Sequence, residues 1–240
     1  LVWLTALLTA GLASAATIPL TGDASRLATT GDGLDRLDFK VEIGRIETID
    51  VNTKGGGFTR LVIPGFHSSH IEGEPELPMM NRLVAVPFGA KARLEVANVR
   101  TTRVSLADYG IDARIMPAQP SLSKSADPAS VPFAFDNAAY GQYEVRRELV
   151  NLVPQGRLRA MDLARLEISP VAYFPGTGEL EVVTSMDVSV VYDGADAQAA
   201  GDLIARTYSP FFEHLYDGVA GVAGFHDSYP DRVRDVVTMV

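Results

Sequence analysis

The sequence contains no cysteine and only one tryptophan, Trp3. Without cysteine there can be no disulfide, no thiolate metal site and no cysteine nucleophile within these 240 residues. A single tryptophan near the start leaves no broad indole surface for stacking sugars. Positive charge is scarce too. Lys and Arg number 21 against 30 Asp and Glu, giving a net charge of −9. There is also no run of about five or six like charges. Such a chain has no electrostatic footprint for nucleic acid or an anionic membrane, so neither is expected as a partner. No G-x-S-x-G elbow is present, and the glycines at 55–57 lack the following Lys-Ser/Thr of a phosphate cradle. No cofactor is expected.

What is present begins with an uncharged apolar run over residues 1–12, followed by the small residues Ala13, Ser14 and Ala15. Residues 1–16 read as an export signal cut at Ala15, which directs the chain to the outside of a bacterial-type cell. The run is too short for a bilayer span, which needs roughly 20 apolar residues. A buried core helix is the alternative. With no initiator Met and no basic n-region, the sequence is expected to start inside that signal. Residues 17–36 carry no clear period and are expected to form a flexible lead-in.

From residue 37 a period of two dominates. Leu37, Phe39, Val41 and Ile43 alternate with Asp38, Lys40 and Glu42, and Met186, Val188, Val190 and Tyr192 alternate with Asp187, Ser189 and Val191. Further short strands are expected at 58–63, 83–87, 92–99, 101–106, 143–150, 163–174 and 180–184, with turns at Gly55-Gly56-Gly57, Pro87-Phe88-Gly89 and Pro175-Gly176-Thr177-Gly178. Amphipathic helices, which a parallel α/β fold needs between its strands, are missing before about residue 195. The fold class is therefore all-β, an antiparallel β-sandwich or jelly-roll-like domain over residues 37–194. A helical linker over 195–235 follows, with a helix at 195–206, and residues 236–240 read as the first strand of a further domain.

The chemistry-bearing residues are few. His67, His70, Glu72 and Glu74 lie close enough to raise a metal site, but Pro64, Gly65, Gly73 and Pro75 make the stretch a loop, and no metal is assigned. Residues 30–35 resemble a calcium loop only superficially, lacking the alternating oxygen ligands and distal Glu. The segment 116–130 is long, rich in proline and serine, and carries one cation, Lys124. Loops of this length are functional or mobile, or else inert surface connections.

Several short motifs carry a resemblance. Gly73-Glu74-Pro75-Glu76-Leu77-Pro78, with Arg82 and then Val84-Ala85-Val86-Pro87-Phe88-Gly89-Ala90, is similar to the N-terminal propeptide domain of gingipain-type cysteine endopeptidases. Pro117-Ala118-Gln119-Pro120, Tyr140, and Ile168 to Pro175 with Gly178-Glu179-Leu180 follow in that family's order. The resemblance spans roughly residues 37–192. It implies a β-sandwich that packs on its own downstream peptidase domain, blocks the active cleft, aids folding and is cut away at maturation. The catalytic His and Cys of that family lie downstream, so no catalytic residue is assigned here, and any cysteine-peptidase activity belongs to the full precursor.

Within this reading Lys124 is the candidate inhibitory residue, and Arg206, Arg232 and Arg234 are the candidate maturation sites in the glycine-rich border region. The alternative is a secreted binding or adhesion module, whose stacking surface would have to come from tyrosines such as Tyr140, Tyr143 and Tyr173.

Overall fold

Alternating residues become strands in the computed structural model, which describes residues 16–22, 24–125, 127, 130–159, 161–207, 215–216 and 218–221. In chain order the strands are β1 (Thr17–Pro19), β2 (Arg26–Asp32), β3 (Arg36–Glu42), β4 (Arg45–Thr53), β5 (Gly56–Val62) and β6 (His67–Ser68). They continue with β7 (Pro78–Val86), β8 (Lys91–Ser105), β9 (Val150–Leu158), β10 (Met161–Ile168), β11 (Val171–Phe174) and β12 (Glu179–Asp193). The helices are α1 (Asn137–Tyr140) and α2 (Ala197–Thr207), with a 3-10 turn at Leu106–Tyr109.

Every named strand pair is antiparallel, in three sheets ordered β1-β4-β5, β6-β7-β10-β9 and β11-β12-β3-β2. Strand β12 is the spine. One edge takes β8 along its length, and the other takes β11 at residues 179–182 and β3 at 185–191. Register places Leu37, Phe39 and Val41 opposite Val190, Val188 and Met186, and all six are at most 2% exposed. A one-residue slip would turn this whole set to solvent, so the apolar pattern itself fixes the register. Residues of all three sheets join a single apolar cluster. Each large side chain buried there contributes about 1.5–3 kcal/mol.

Differences from the sequence expectation have local causes. The expected flexible lead-in over 17–36 instead supplies β1 and β2. Ile18 is fully buried, and β1 pairs with β4. Three residues are too short to show a period, and β2 is only partly covered. The calcium-like residues 30–35 are the β2–β3 hairpin, closed by Gly33 N donating to Arg36 O at 2.9 Å. The expected strands at 92–99 and 101–106 are one strand, β8, bent where Asn98 adopts φ 53° and the register shifts against β12. The expected 163–174 strand is two, because Ser169 and Pro170 turn the chain from the four-stranded sheet into the five-stranded one. Residues 143–150 form no strand apart from a bridge between Val145 and Tyr173, with β9 starting at Val150. Strands β4 and β9 have no expected counterpart. The latter is a sheet edge, where Pro154 and a register shift are tolerated.

The helix expected over 195–206 forms as α2. Asp196 caps it, its Oδ1 accepting from Ala199 N at 2.8 Å. Rather than trailing free, α2 packs Ala200 and Leu203 against Ala85, Met161 and Leu163. Further on, Ala220 pairs in parallel with Val84 on the β7 edge. No helix among the described residues is long and apolar enough to cross a membrane.

Candidate functional site

Three of the short motifs meet in space. Residues 73–77 run antiparallel to 116–118, with Pro75 directly opposite Pro117. Both prolines fall at the non-hydrogen-bonded pair of this ladder, where neither needs an N–H. The bonds go around them, from Glu76 N to Met116 O and from Ala118 N to Glu74 O, each at 2.8 Å. On its other side the 114–116 segment pairs with β5, Met116 N donating to Thr59 O and Thr59 N to Arg114 O. Two ion pairs hold the 73–77 strand, Arg60 to Glu76 at 2.9 Å and Arg147 to Glu74 at 2.8 Å.

The returning leg crosses Gly73. Asp136 N donates to Gly73 O at 2.9 Å, and a Cβ on Gly73 would stand 2.9 Å from that nitrogen. With φ at 81° as well, this position admits only glycine readily. Asp136 then caps α1, accepting from Ala138 N at 2.8 Å. At the end of α1 the Tyr140 hydroxyl donates to Ile115 O at 2.5 Å, and its ring stacks on Phe135 at 4.3 Å. Burial pushes the Tyr140 phenol well above its ordinary pKa, so it remains a hydrogen-bond donor at any physiological pH.

The segment 116–130 is not one loop as expected, because residues 116–118 are a backbone-paired leg. The connection between the two legs runs from 120 to 133 and is described at 120–125, 127 and 130–133. Gln119 joins the legs, its Nε2 donating to Pro117 O and Ala134 O and its Oε1 accepting from Ala134 N. Phe133 lies over Gly55, where an added Cβ would come within 2.3 Å of its ring, and it stacks on Phe58 at 5.4 Å. Lys54 Nζ donates to Val131 O. A cleft of about 470 Å³ opens beside this foot, lined by Phe58, Phe133, Phe135, Arg114 and Asp112 among others. Residues 121–125 are exposed, and the Lys124 ammonium makes no ion pair among the described residues.

Other candidates do not form sites. The His67 and His70 rings stack at 6.4 Å, Glu74 is engaged by Arg147, and no group of three ligating side chains converges among the described residues. Partial desolvation of this largely exposed ring, reinforced by His70, holds His67 below the ordinary imidazole pKa. Tyr140, Tyr143 and Tyr173 share no stacking platform. Tyr173 is 2% exposed, Tyr140 is half-buried with its hydroxyl engaged, and Tyr143, 79% exposed, meets the buried Phe174 ring edge-on at 5.6 Å. Arg206 lies exposed in the last turn of α2, its Nε donating to Asp202 O at 3.2 Å. Ala15, Arg232 and Arg234 fall outside the described residues, as does the strand expected at 236–240.

Sequence reasoning found the motifs but not their meeting. Gln119 belongs to the Pro117-Ala118-Gln119-Pro120 motif, yet its partner Ala134 is 15 residues away across the loop. Phe133 on Gly55 joins segments still further apart, and neither pairing leaves a local period.

Comparison with known proteins agrees with this β-rich fold. A family model described as Propeptide_C25 matches residues 21–207. Lys-gingipain HG66 of Porphyromonas gingivalis is 36% identical over 202 residues, covering 84% of this chain and 12% of its own length. Another Lys-gingipain of that species is 35% identical over 205 residues, covering 85% and 12%. The chain thus spans about an eighth of the curated relatives it matches. Among solved structures, a chain from work on zymogenic latency of gingipain K from Porphyromonas gingivalis superposes with a TM-score of 0.71 at 34% identity, covering 76% of this chain and all of that one. A chain from the complex of Porphyromonas gingivalis RgpB pro- and mature domains gives 0.62 at 20% identity, covering 81% and 95%, and shares the fold.

Proposed function

The chain belongs to the Propeptide_C25 family of gingipain-type pro-segments, and from that premise we propose that it keeps a cysteine endopeptidase latent, aids its folding and is then cut away. Its partner is the peptidase domain of its own precursor, as in the pro- and mature-domain complex of RgpB. The observation that carries the inhibitory reading is the loop at residues 120–133. Its legs are fixed to the sheets, while Lys124 stands exposed within it, with no ion pair among the described residues.

Laid across a peptidase cleft, that loop offers one long cationic side chain to a specificity pocket. The relatives at 35–36% identity are named Lys-gingipains, and a lysine is the side chain such a pocket would take. An ammonium buried against an acidic pocket is worth a few kcal/mol, much of it the penalty of leaving the pocket charge unpaired when the lysine is removed. Export to the cell surface or beyond fits the apolar leader with Ala15 at its cut, as expected for an endopeptidase of this kind. Maturation is proposed at Arg232 or Arg234 rather than Arg206. Cutting at Arg206 requires unwinding the end of α2, whose Thr207 carbonyl also accepts from Arg159.

The test is to add the purified chain to the mature peptidase and compare it with Lys124→Ala. A rise in the inhibition constant of tenfold or more is expected, with the melting temperature unchanged. Equal inhibition by the two chains removes Lys124 from the mechanism.

A further inference from the structure

We propose that Gln119 is the positioning residue of the loop, tying its two legs together and so setting the shape in which Lys124 meets the peptidase. The inference rests on the inhibitory reading above and adds the group that keeps the loop preorganised. Its Nε2 donates to Pro117 O at 3.0 Å and to Ala134 O at 2.9 Å, while its Oε1 accepts from Ala134 N at 3.1 Å. The partners fix which amide atom is which. The reverse orientation would set an oxygen against two carbonyls and an NH₂ against an N–H.

Three bonds from one planar group hold the legs at a set separation. Among the described residues the backbone ladder carries the N-terminal leg to Ala118 and the returning leg to Asp136, both through Gly73. The carboxamide bridges the next step outward, where the legs have no backbone pairing to each other. No other side chain supplies this pattern. Glutamate offers no donor to the carbonyls, asparagine is one methylene shorter, and methionine has the length without the bonds.

Two consequences follow for a loop that must bind a peptidase without being consumed. A tied loop loses less conformational entropy on docking, which strengthens inhibition. Cleavage also requires local unfolding of the substrate backbone, so the tie slows nicking at Lys124.

The experiment compares the wild-type full chain, Gln119→Met and Lys124→Ala against the mature peptidase, recording inhibition constants, nicking after Lys124 and melting temperature. Gln119→Met is expected to raise the inhibition constant and the nicking rate by at least tenfold, with the melting temperature within a few degrees of wild type. If Lys124→Ala weakens inhibition while Gln119→Met matches wild type in both readouts, the positioning role is overturned and the inhibitory reading stands. If Lys124→Ala inhibits as wild type does, both fall. Should Gln119→Met fold poorly, amide exchange in the wild-type chain decides. Ala134 N–H, held by the carboxamide, is expected to exchange at least tenfold more slowly than Ser125 N–H, and equal exchange overturns the proposal.

Discussion

The β3–β12 pair and the legs of the 120–133 loop are both ordered, but by different means. Along β3 and β12 order comes from burial. Alternate side chains enter a shared core, and the hydrogen-bond ladder follows. At the loop the side chains bond to backbone instead, through Gln119, Tyr140 and Lys54, over a floor of Gly55, Phe58 and Gly73. The first arrangement carries stability. The second leaves residues 121–125 in solvent, where a partner can reach them. The proposed function sits on a loop positioned by a scaffold, and each can be perturbed separately.

The sharpest way to break that separation is in the core. Phe39 is 2% exposed opposite Val188, and Phe39→Ala should cost about 3–5 kcal/mol, a large part of a typical total of about 5–15 kcal/mol. Denaturant melting should show it, and inhibition should be lost only because the whole domain loosens. A midpoint like wild type would mean that the pair is not the structural spine.

Gly55→Ala acts at the loop foot. The new methyl would sit 2.3 Å from the Phe133 ring, so the ring must leave its place on Phe58, at a cost of about 1–3 kcal/mol. Limited proteolysis of the loop should accelerate far more than global melting shifts. A loss of stability as large as that of Phe39→Ala would merge the two regions.

How much of this contrast the sequence displayed depends on the same distinction. Burial against one face leaves a period, so Leu37 to Ile43 and Met186 to Tyr192 announce their strands, and α2 announces itself within two residues. Bonds from side chain to backbone leave no period. Tyr140 reaching Ile115 and Gln119 reaching Ala134 span 25 and 15 residues, and only the folded chain brings them together. Short or half-covered strands fail for a third reason. In β1 the core receives one residue, Ile18, and one residue makes no pattern.

Smaller effects refine the comparison. Tyr140→Phe keeps the ring on Phe135 but deletes the bond to Ile115 O, for about 1 kcal/mol in melting, with faster amide exchange around the loop legs. Unchanged exchange there would mean that stacking alone holds α1. Smallest is a pH effect at β6. Partial desolvation and His70 lower the His67 pKa while Glu167 opposes them, so the unfolded chain takes up this proton more readily than the folded one. The contribution is full above about pH 6.5 and declines as the pH falls below it. His67→Gln should flatten the pH dependence of stability in that range, and an unchanged profile would assign it to other groups.

The most direct test of the division between scaffold and loop is amide hydrogen exchange of the chain, free and bound to the mature peptidase. New protection is predicted to concentrate in residues 120–133, with β3 and β12 unchanged. Protection appearing on the sheets while the loop exchanges as it does in the free chain would contradict the account.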